Sequence, residues 1–418
     1  MNFPILHEFN LERMANIVDF HGWQMPVSYE GIREEYKATR EKASIFDISH
    51  MGRWFFSGKN AMTFLDYLTT NDLSSLKDGK ALYTTLLNED GGIIDDLVIY
   101  KFNPERFLLI NNAGNHDTVT EWFRLQYDKL KSTESSSGNA GTTGHEQSYE
   151  DIIMEDVTAK LGQIAIQGPS AKDLVNKYLG IEEELSYFSF REVSFNNENH
   201  EDDENAEIEV RQQCHYIVSA TGYTGETGYE IYAEPSLLIK LVKDLCSHSG
   251  LIPAGLGARD ILRLEAGYCL HGNDIDNLST PYEAGLDWVV KITKENFIGK
   301  SNCTRQKKIL KGLLFPISEK IVPRAGTKVY DDEEREIGVI TSGTFSFILD
   351  RAIALVYLTD PLIIESVISN KTDITTKINL KKVSIKVRKD IFSASIVEPW
   401  FYRNIKGKEI QNLEAIQK

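Results

Sequence analysis

The residues best placed by type and spacing to do chemistry are Asp95 and Asp96, adjacent carboxylates inside the apolar run Ile93-Ile94-Asp95-Asp96-Leu97-Val98-Ile99-Tyr100. Neighbouring side chains on a strand point to opposite faces, so one Asp can face a pocket while the other meets water or a backbone donor. A carboxyl desolvated among Ile94, Leu97 and Val98 would have its pKa pushed up and become a proton acceptor near neutral pH. An Asp that caps a turn or closes an internal hydrogen bond fits the same pattern, and the pair alone does not decide between them. The segment Thr221 to Glu230, TGYTGETGYE, is a second candidate. Its glycines let backbone approach a ligand, but it has neither a phosphate-loop Lys nor G-x-G-x-x-G spacing. Tyr223 offers a flat face to a heteroaromatic ring, and Glu230 two acceptor oxygens for a donor–donor edge. A glycine-rich hairpin with a surface Tyr is the plainer alternative.

Arg259 and Arg263, four residues apart in GLGARDILRLEAG (Gly255 to Gly267), share one helix face. Either could grip a carboxylate in fork geometry, and either could pair with Asp260 or Glu265 in a salt-bridged surface. His50, in Ser49-His50-Met51, reads first as a structural histidine. The four cysteines, Cys214, Cys246, Cys269 and Cys303, form no CxxC pair, and no His-x-x-x-His pair occurs. Neither a metal site nor a redox dithiol is expected.

Strands and helices alternate along the chain to hold these residues. Asn88 to Gly92 reads as a turn leading into the strand Ile93 to Tyr100, with Phe107 to Asn112 as its hairpin or meander partner. Helices are expected at Glu30–Ala43, Asp117–Leu130, Pro169–Leu179, Ser236–Ser247 and Gly257–Ala266, from apolar spacing and start signals. Short strands are expected at Ile164–Gln167, Cys214–Ser219 and Tyr229–Tyr232. From about Lys311 the β-branched runs Ile337–Thr341, Ala352–Tyr357 and Val383–Val387 indicate a separate all-β domain with little helix.

The chain has 418 residues, with 46 Lys and Arg against 62 Asp and Glu, a formal net charge of −16. That acidity disfavours nucleic acid and anionic membranes as partners. No apolar run is long enough to span a bilayer, and the first residues lack signal-peptide and presequence character, so a cytoplasmic protein is expected, or a matrix one if a leader was removed. Two polar segments, Ser132 to Gln147 and Asn196 to Glu209, read as solvated loops. The second carries seven of the sixteen excess negative charges.

In order along the chain stand VDFHGWQMPVSY (Val18 to Tyr29), FDISHM (Phe46 to Met51), KALYTTLLNEDGGIIDDLVIY (Lys80 to Tyr100) and AIQGPSA (Ala165 to Ala171). ATGYTGETGYEI (Ala220 to Ile231), GLGARDILRLEAG, GNDID (Gly272 to Asp276), FIGK (Phe297 to Lys300) and TSGTFS (Thr341 to Ser346) follow. Together they resemble the glycine cleavage T-protein family, tetrahydrofolate-dependent aminomethyltransferases. Phe347-Ile348-Leu349-Asp350 departs from the Ser-Pro-Thr-Leu that commonly follows the last motif.

The resemblance implies an α+β fold, a three-domain cloverleaf with folate in a central channel. Two mixed domains with antiparallel sheets and ferredoxin-like elements (1–50 with 155–310, and 51–154) would precede a C-terminal β-barrel at 311–418. It implies Asp96 as the key carboxylate, with folate contacts on Met51, Tyr83, Asn112, Tyr223, Glu230 and Arg259. A C-terminal aromatic contact aligns with Phe401 or Tyr402, and Tyr402, which has a hydroxyl, is the one chosen. The implied reaction moves a methylene from the aminomethylated lipoyl arm of an H-protein to tetrahydrofolate, releasing ammonia, with no metal and no flavin. The flavin-dependent folate dehydrogenases fit less well, because no Rossmann glycine fingerprint is present. The accessory folate proteins of iron–sulfur assembly also fit less well, because their K-G-C-Y-x-G-Q-E motif is absent.

Overall fold

A computed structural model describes residues 1–136, 151–196, 213–369 and 383–402. Two open sheets, a closed barrel and a two-stranded ribbon (Asn16–Phe20 with Trp23–Ser28) organise these residues. A six-stranded sheet runs Phe190–Asn196, Gln213–Ser219, Gly228–Ala233, Gly162–Gln167, Ser44–Asp47 and Ile252–Pro253. Its pairings are antiparallel except the last, where Ile252–Pro253 joins Ser44–Ile45 in parallel. Helices Ala171–Leu179 and Pro235–His248 place Val175, Leu179, Leu238 and Leu245 in the core beneath it. Both helices put an apolar residue inward every three or four positions, the stripe a helix needs to cover a sheet.

A five-stranded antiparallel sheet runs Lys80–Leu87, Ile93–Asn103, Arg106–Asn111, Gly52–Ser57 and Ile153–Asp156. Its core holds Phe56, Phe64, Phe107 and Phe123, the last from helix His116–Ser136. That helix reaches past the expected end at Leu130 and takes in the first five residues of the segment read as a polar loop. The rest of that loop, and nearly all of the acidic one, lie outside the described residues. Helix Ile32–Glu41 is shorter than expected: Ala43 lies beyond it, and Ile32 is exposed at 36% while Tyr36 is buried.

Strands Ile309–Leu314, Arg351–Leu358, Glu336–Ser346, Lys328–Tyr330, Val383–Val387 and Asp390–Val397 form a closed barrel. Gly312 pairs with Val397 to seal it, which removes the open edges. One helix, Pro361–Ser369, interrupts the run of strands.

Helix Leu256–Ala266 ties the first region to the barrel. It ends at Gly267, left-handed at φ 77°, where Tyr268 N–H donates to Arg263 O at 2.9 Å. A Cβ at Gly267 would come within 2.4 Å of Pro399 O, so a side chain is excluded by space as well as by φ. The fold is α+β with a C-terminal barrel, as the family resemblance implies.

Candidate active site

A cavity of about 1880 Å³ opens where the two open sheets, the two-stranded ribbon and the barrel meet. Met51, Tyr83, Asp96 and Asn112 wall it from the five-stranded sheet and its approach, and Thr221, Tyr223 and Glu230 from the six-stranded one. Arg259 enters from helix Leu256–Ala266, and Lys311, Thr341 and Ser342 from the barrel.

Asp96 owes its place to the turn before it. Asn88 Oδ1 accepts from Gly92 N–H at 2.8 Å, and Gly91 has φ 81°. A Cβ at Gly92 would fall 1.8 Å from Asn277 O, so the turn closes only with glycine there. The pairing then slips: Leu86 faces Asp95 but Leu87 faces Ile93, leaving Ile94 as a bulge. A bulge re-aims the residues after it. Asn115 Nδ2 donates to the freed Ile94 carbonyl.

Asp96 reaches the cavity, while Asp95 is fully buried behind it. Asp95 accepts from the backbone N–H of Asn112 at 3.0 Å and of Asp96 at 3.1 Å. The Asn112 amide bridges the pair, with Nδ2 at 2.7 Å from Asp95 Oδ1 and 2.7 Å from Asp96 Oδ1. Tyr83 donates its hydroxyl to Asp96 Oδ2 at 2.9 Å. All of these donors are neutral. Burial therefore raises both carboxyl pKa values, and the charge of Asp96 raises that of Asp95 further. Asp96 thus faces the cavity and Asp95 closes an internal hydrogen-bond network, the opposite placements that strand alternation allows.

Glu230 is buried, and Thr221 (2.6 Å), Tyr100 (3.3 Å) and Tyr232 (3.3 Å) all donate to its Oε2. Oε1 takes none of these bonds. The ring of Tyr223 is not the bare platform expected. Tyr268 stacks on it at 5.5 Å and the Arg259 guanidinium covers it at 4.7 Å, while its hydroxyl donates to Cys269 O.

The two arginines separate. Arg263 pairs with Asp260 at 2.8 Å and Asp274 at 2.7 Å and donates to Ser342 Oγ at 2.9 Å. Among the described residues no carboxylate lies within ion-pair distance of Arg259, and burial pushes its pKa down. His50 lines the cavity but is not a fully satisfied histidine, because its Nδ1 is buried without a partner. Burial and the Arg259, Arg53 and His21 charges push its pKa down to about 3, so the ring is neutral.

Of the eight residues singled out for the site, seven line this cavity: Asp96, Met51, Tyr83, Asn112, Tyr223, Glu230 and Arg259. Tyr402 is not among the lining residues. Its N–H donates to Glu265 O at 2.6 Å and Arg40 lies 4.2 Å over its ring, which turns it to the helix–barrel junction. Phe401 is buried in the core beside Gly312. Trp400 is the aromatic of that segment that lines the cavity. Sequence reasoning also missed Trp288, stacked on Tyr83 at 5.7 Å, together with Asn115 and His271. The GNDID motif, which begins just after His271, was the available signal. Among the described residues no group of His, Cys, Asp and Glu could hold a metal ion.

Comparison with known proteins agrees with this architecture. Residues 6–294 match the GCVT N-terminal domain, and residues 308–403 the glycine cleavage T-protein C-terminal barrel domain. The chain is similar to an aminomethyltransferase of Chloroherpeton thalassium, 35% identical over 97% of this chain and 100% of that protein. It is also similar to one of Thermosipho melanesiensis, 36% identical over 98% of this chain and 99% of that protein. The crystal structure of glycine cleavage system aminomethyltransferase T from Bartonella henselae superposes with a TM-score of 0.76, at 29% identity, covering 96% and 98% of the two chains. The chain belongs to the glycine cleavage T-protein family, a family of aminomethyltransferases.

Proposed function

We propose that the chain transfers the methylene of an aminomethyl group, carried on the lipoyl arm of an H-protein, to tetrahydrofolate, with release of ammonia. The observation that carries this reading is Asp96, a buried carboxylate held on the cavity wall by Tyr83 and Asn112. The other lining residues suit the co-substrate. Glu230 Oε1 suits the donor–donor edge of a pterin, and Arg259, which no carboxylate pairs with among the described residues, suits the glutamate carboxylates. Met51, Tyr223 and Trp400 supply apolar and aromatic wall.

Tetrahydrofolate, when bound, supplies the two nitrogens between which the carbon is placed. Asp96 orients one of them, takes its proton and offsets the positive charge that develops. Its raised pKa suits a group that must both take and return a proton near neutral pH. Tyr83 and Asn112 hold the carboxylate in one orientation, so little reorganisation is needed during reaction. The bacterial relatives support a protein acting in the cytoplasm.

The test is release of ammonia and methylenetetrahydrofolate from aminomethylated H-protein, with and without tetrahydrofolate. Stoichiometric, folate-dependent release of both is expected. Folate binding without turnover would overturn the transferase reading in favour of an accessory folate protein.

A further inference from the structure

We propose that Tyr100 is a positioning residue for Glu230, tying the carboxylate of one sheet to the strand of the other sheet that carries Asp96. This deepens the reading above and rests on Glu230 as a tetrahydrofolate contact. Tyr100 stands on strand Ile93–Asn103, four residues after Asp96 and on the same face by alternation. It is fully buried, and its ring meets Phe190 and Tyr232 edge-on, at 5.3 and 5.6 Å. The two open sheets join at this point. Ala81, opposite Tyr100 in the strand pairing, donates its N–H to Phe188 O at 2.8 Å, and Phe190 N–H donates to Gly79 O at 2.9 Å.

Donor and acceptor chemistry gives the hydrogen bonds a direction. Arg53 has only donors, and its Nη1 lies 3.5 Å from Gln163 Oε1, so that end of the amide is oxygen. Gln163 Nε2 therefore donates to the Tyr232 hydroxyl at 3.1 Å. The Tyr232 hydrogen goes to the Tyr100 hydroxyl at 2.8 Å, nearer than Glu230 at 3.3 Å. The Tyr100 hydrogen is left to point at Glu230 Oε2 (3.3 Å) and Thr221 Oγ1 (3.2 Å), and Thr221 itself donates to Oε2 at 2.6 Å. Each phenol thus spends its one hydrogen along a chain that ends on a single oxygen of Glu230. Of the residues that donate to that oxygen, Tyr232 lies on the strand of Glu230 and Thr221 in the segment leading to it. Tyr100 alone comes from the five-stranded sheet. Oε2 is held, and Oε1 is left for the cavity.

A pterin gripped by Glu230 presents its nitrogen to Asp96 only if the two carboxylates keep a set separation. A buried hydroxyl that links their walls fixes that separation. It acts on rate more than on binding, because Thr221 and Tyr232 still hold Glu230 when the Tyr100 hydroxyl is gone. Tyr100→Phe deletes that hydroxyl and keeps the ring packing. The single-turnover rate at saturating tetrahydrofolate should fall about tenfold, with the Kd within about threefold of wild type. Tyr232→Phe, which removes a donor on the strand of Glu230 itself, should leave that rate within about twofold of wild type. An unchanged rate in Tyr100→Phe, or an equal loss in the two variants, overturns the proposal.

A double-mutant cycle separates a residue that acts through Glu230 from one that only packs. Added to Glu230→Ala, Tyr100→Phe should cause no further loss of rate, and a second tenfold loss overturns the proposal. The carboxyl 13C resonance of Glu230, assigned by its disappearance in Glu230→Ala, gives a readout without turnover. It should move in Tyr100→Phe, and an unmoved resonance overturns the proposal. If the wild-type chain bound folate without turnover, the transferase reading would fail while the 13C resonance still decided the role of Tyr100.

Discussion

Two regions of this molecule bury acids in opposite ways. Where helix Leu256–Ala266 meets the barrel, the buried acids Asp274 and Glu265 each have a cation. Asp274 meets Arg263 at 2.7 Å and Glu265 meets Arg40 at 2.6 Å, while Ser346 and Tyr36 complete Glu265. On the cavity wall, Asp95 and Asp96 meet an amide, a phenol and backbone N–H groups, with no cation in hydrogen-bond contact among the described residues. The first arrangement holds domains together. The second leaves charge uncompensated where a reaction can use it. Arg259 and Arg263 repeat the contrast one helical turn apart: Arg263 is paired with Asp260 and Asp274, and among the described residues no carboxylate pairs with Arg259. Burial of charge is therefore not what marks function here. The identity of the partner is.

The comparison breaks most visibly at the junction. Asp274→Ala leaves the Arg263 guanidinium buried without its main partner and should cost about 3–5 kcal/mol of stability. Urea unfolding measures this, and the paired replacement Arg263→Met with Asp274→Leu should recover most of the loss. The cavity arginine should behave differently. Arg259→Gln should raise the KM for tetrahydrofolate by roughly 10–100-fold while leaving kcat within a few-fold. Because no ion pair of Arg259 is lost among the described residues, the unfolding midpoint should hold or rise.

Tyr83→Phe removes one donor from Asp96. It should lower kcat about tenfold and move the acid limb of the pH profile upward by less than one unit, since the lost bond favoured the carboxylate. The smallest effect is on the pH dependence of stability. Asp95 has its folded-state pKa raised, so the folded protein holds that proton more tightly than the unfolded chain. This contribution to stability is greatest in acid and is lost as pH rises from about 4 through the raised folded value. Asp95→Asn should flatten that slope in urea titrations run across pH.

Much of this was legible in the sequence, and the reasons differ by residue. Asp95 and Asp96 stand out because two charges interrupt an apolar strand, a conflict of pattern that a composition window detects. Glu230 and Arg259 could be suspected from type and spacing, but only tertiary pairing shows that Arg263 is consumed by Asp274 and Arg259 is not. Tyr223 was recognised as a cavity residue, yet its ring is taken by Tyr268 and Arg259 from other elements. The C-terminal aromatic was matched to Phe401 or Tyr402 only by resemblance, and a sequence match along an irregular segment does not say which aromatic turns inward. Trp400 faces the cavity, Phe401 the core and Tyr402 Arg40. His271 carries no local anomaly at all. Only the fold brings it to the cavity wall beside Asn115, 156 residues earlier.

The central claim is that Asp96 handles the proton of the transfer. The direct measurement is the single-turnover rate of methylene transfer from aminomethylated H-protein to tetrahydrofolate in Asp96→Asn, with tetrahydrofolate affinity measured by calorimetry on the same protein. An amide keeps the acceptor for Tyr83 but cannot take a proton. The rate should fall by at least about 10³-fold, with the Kd within about threefold of wild type. A rate close to wild type in a variant that still binds folate would contradict the account.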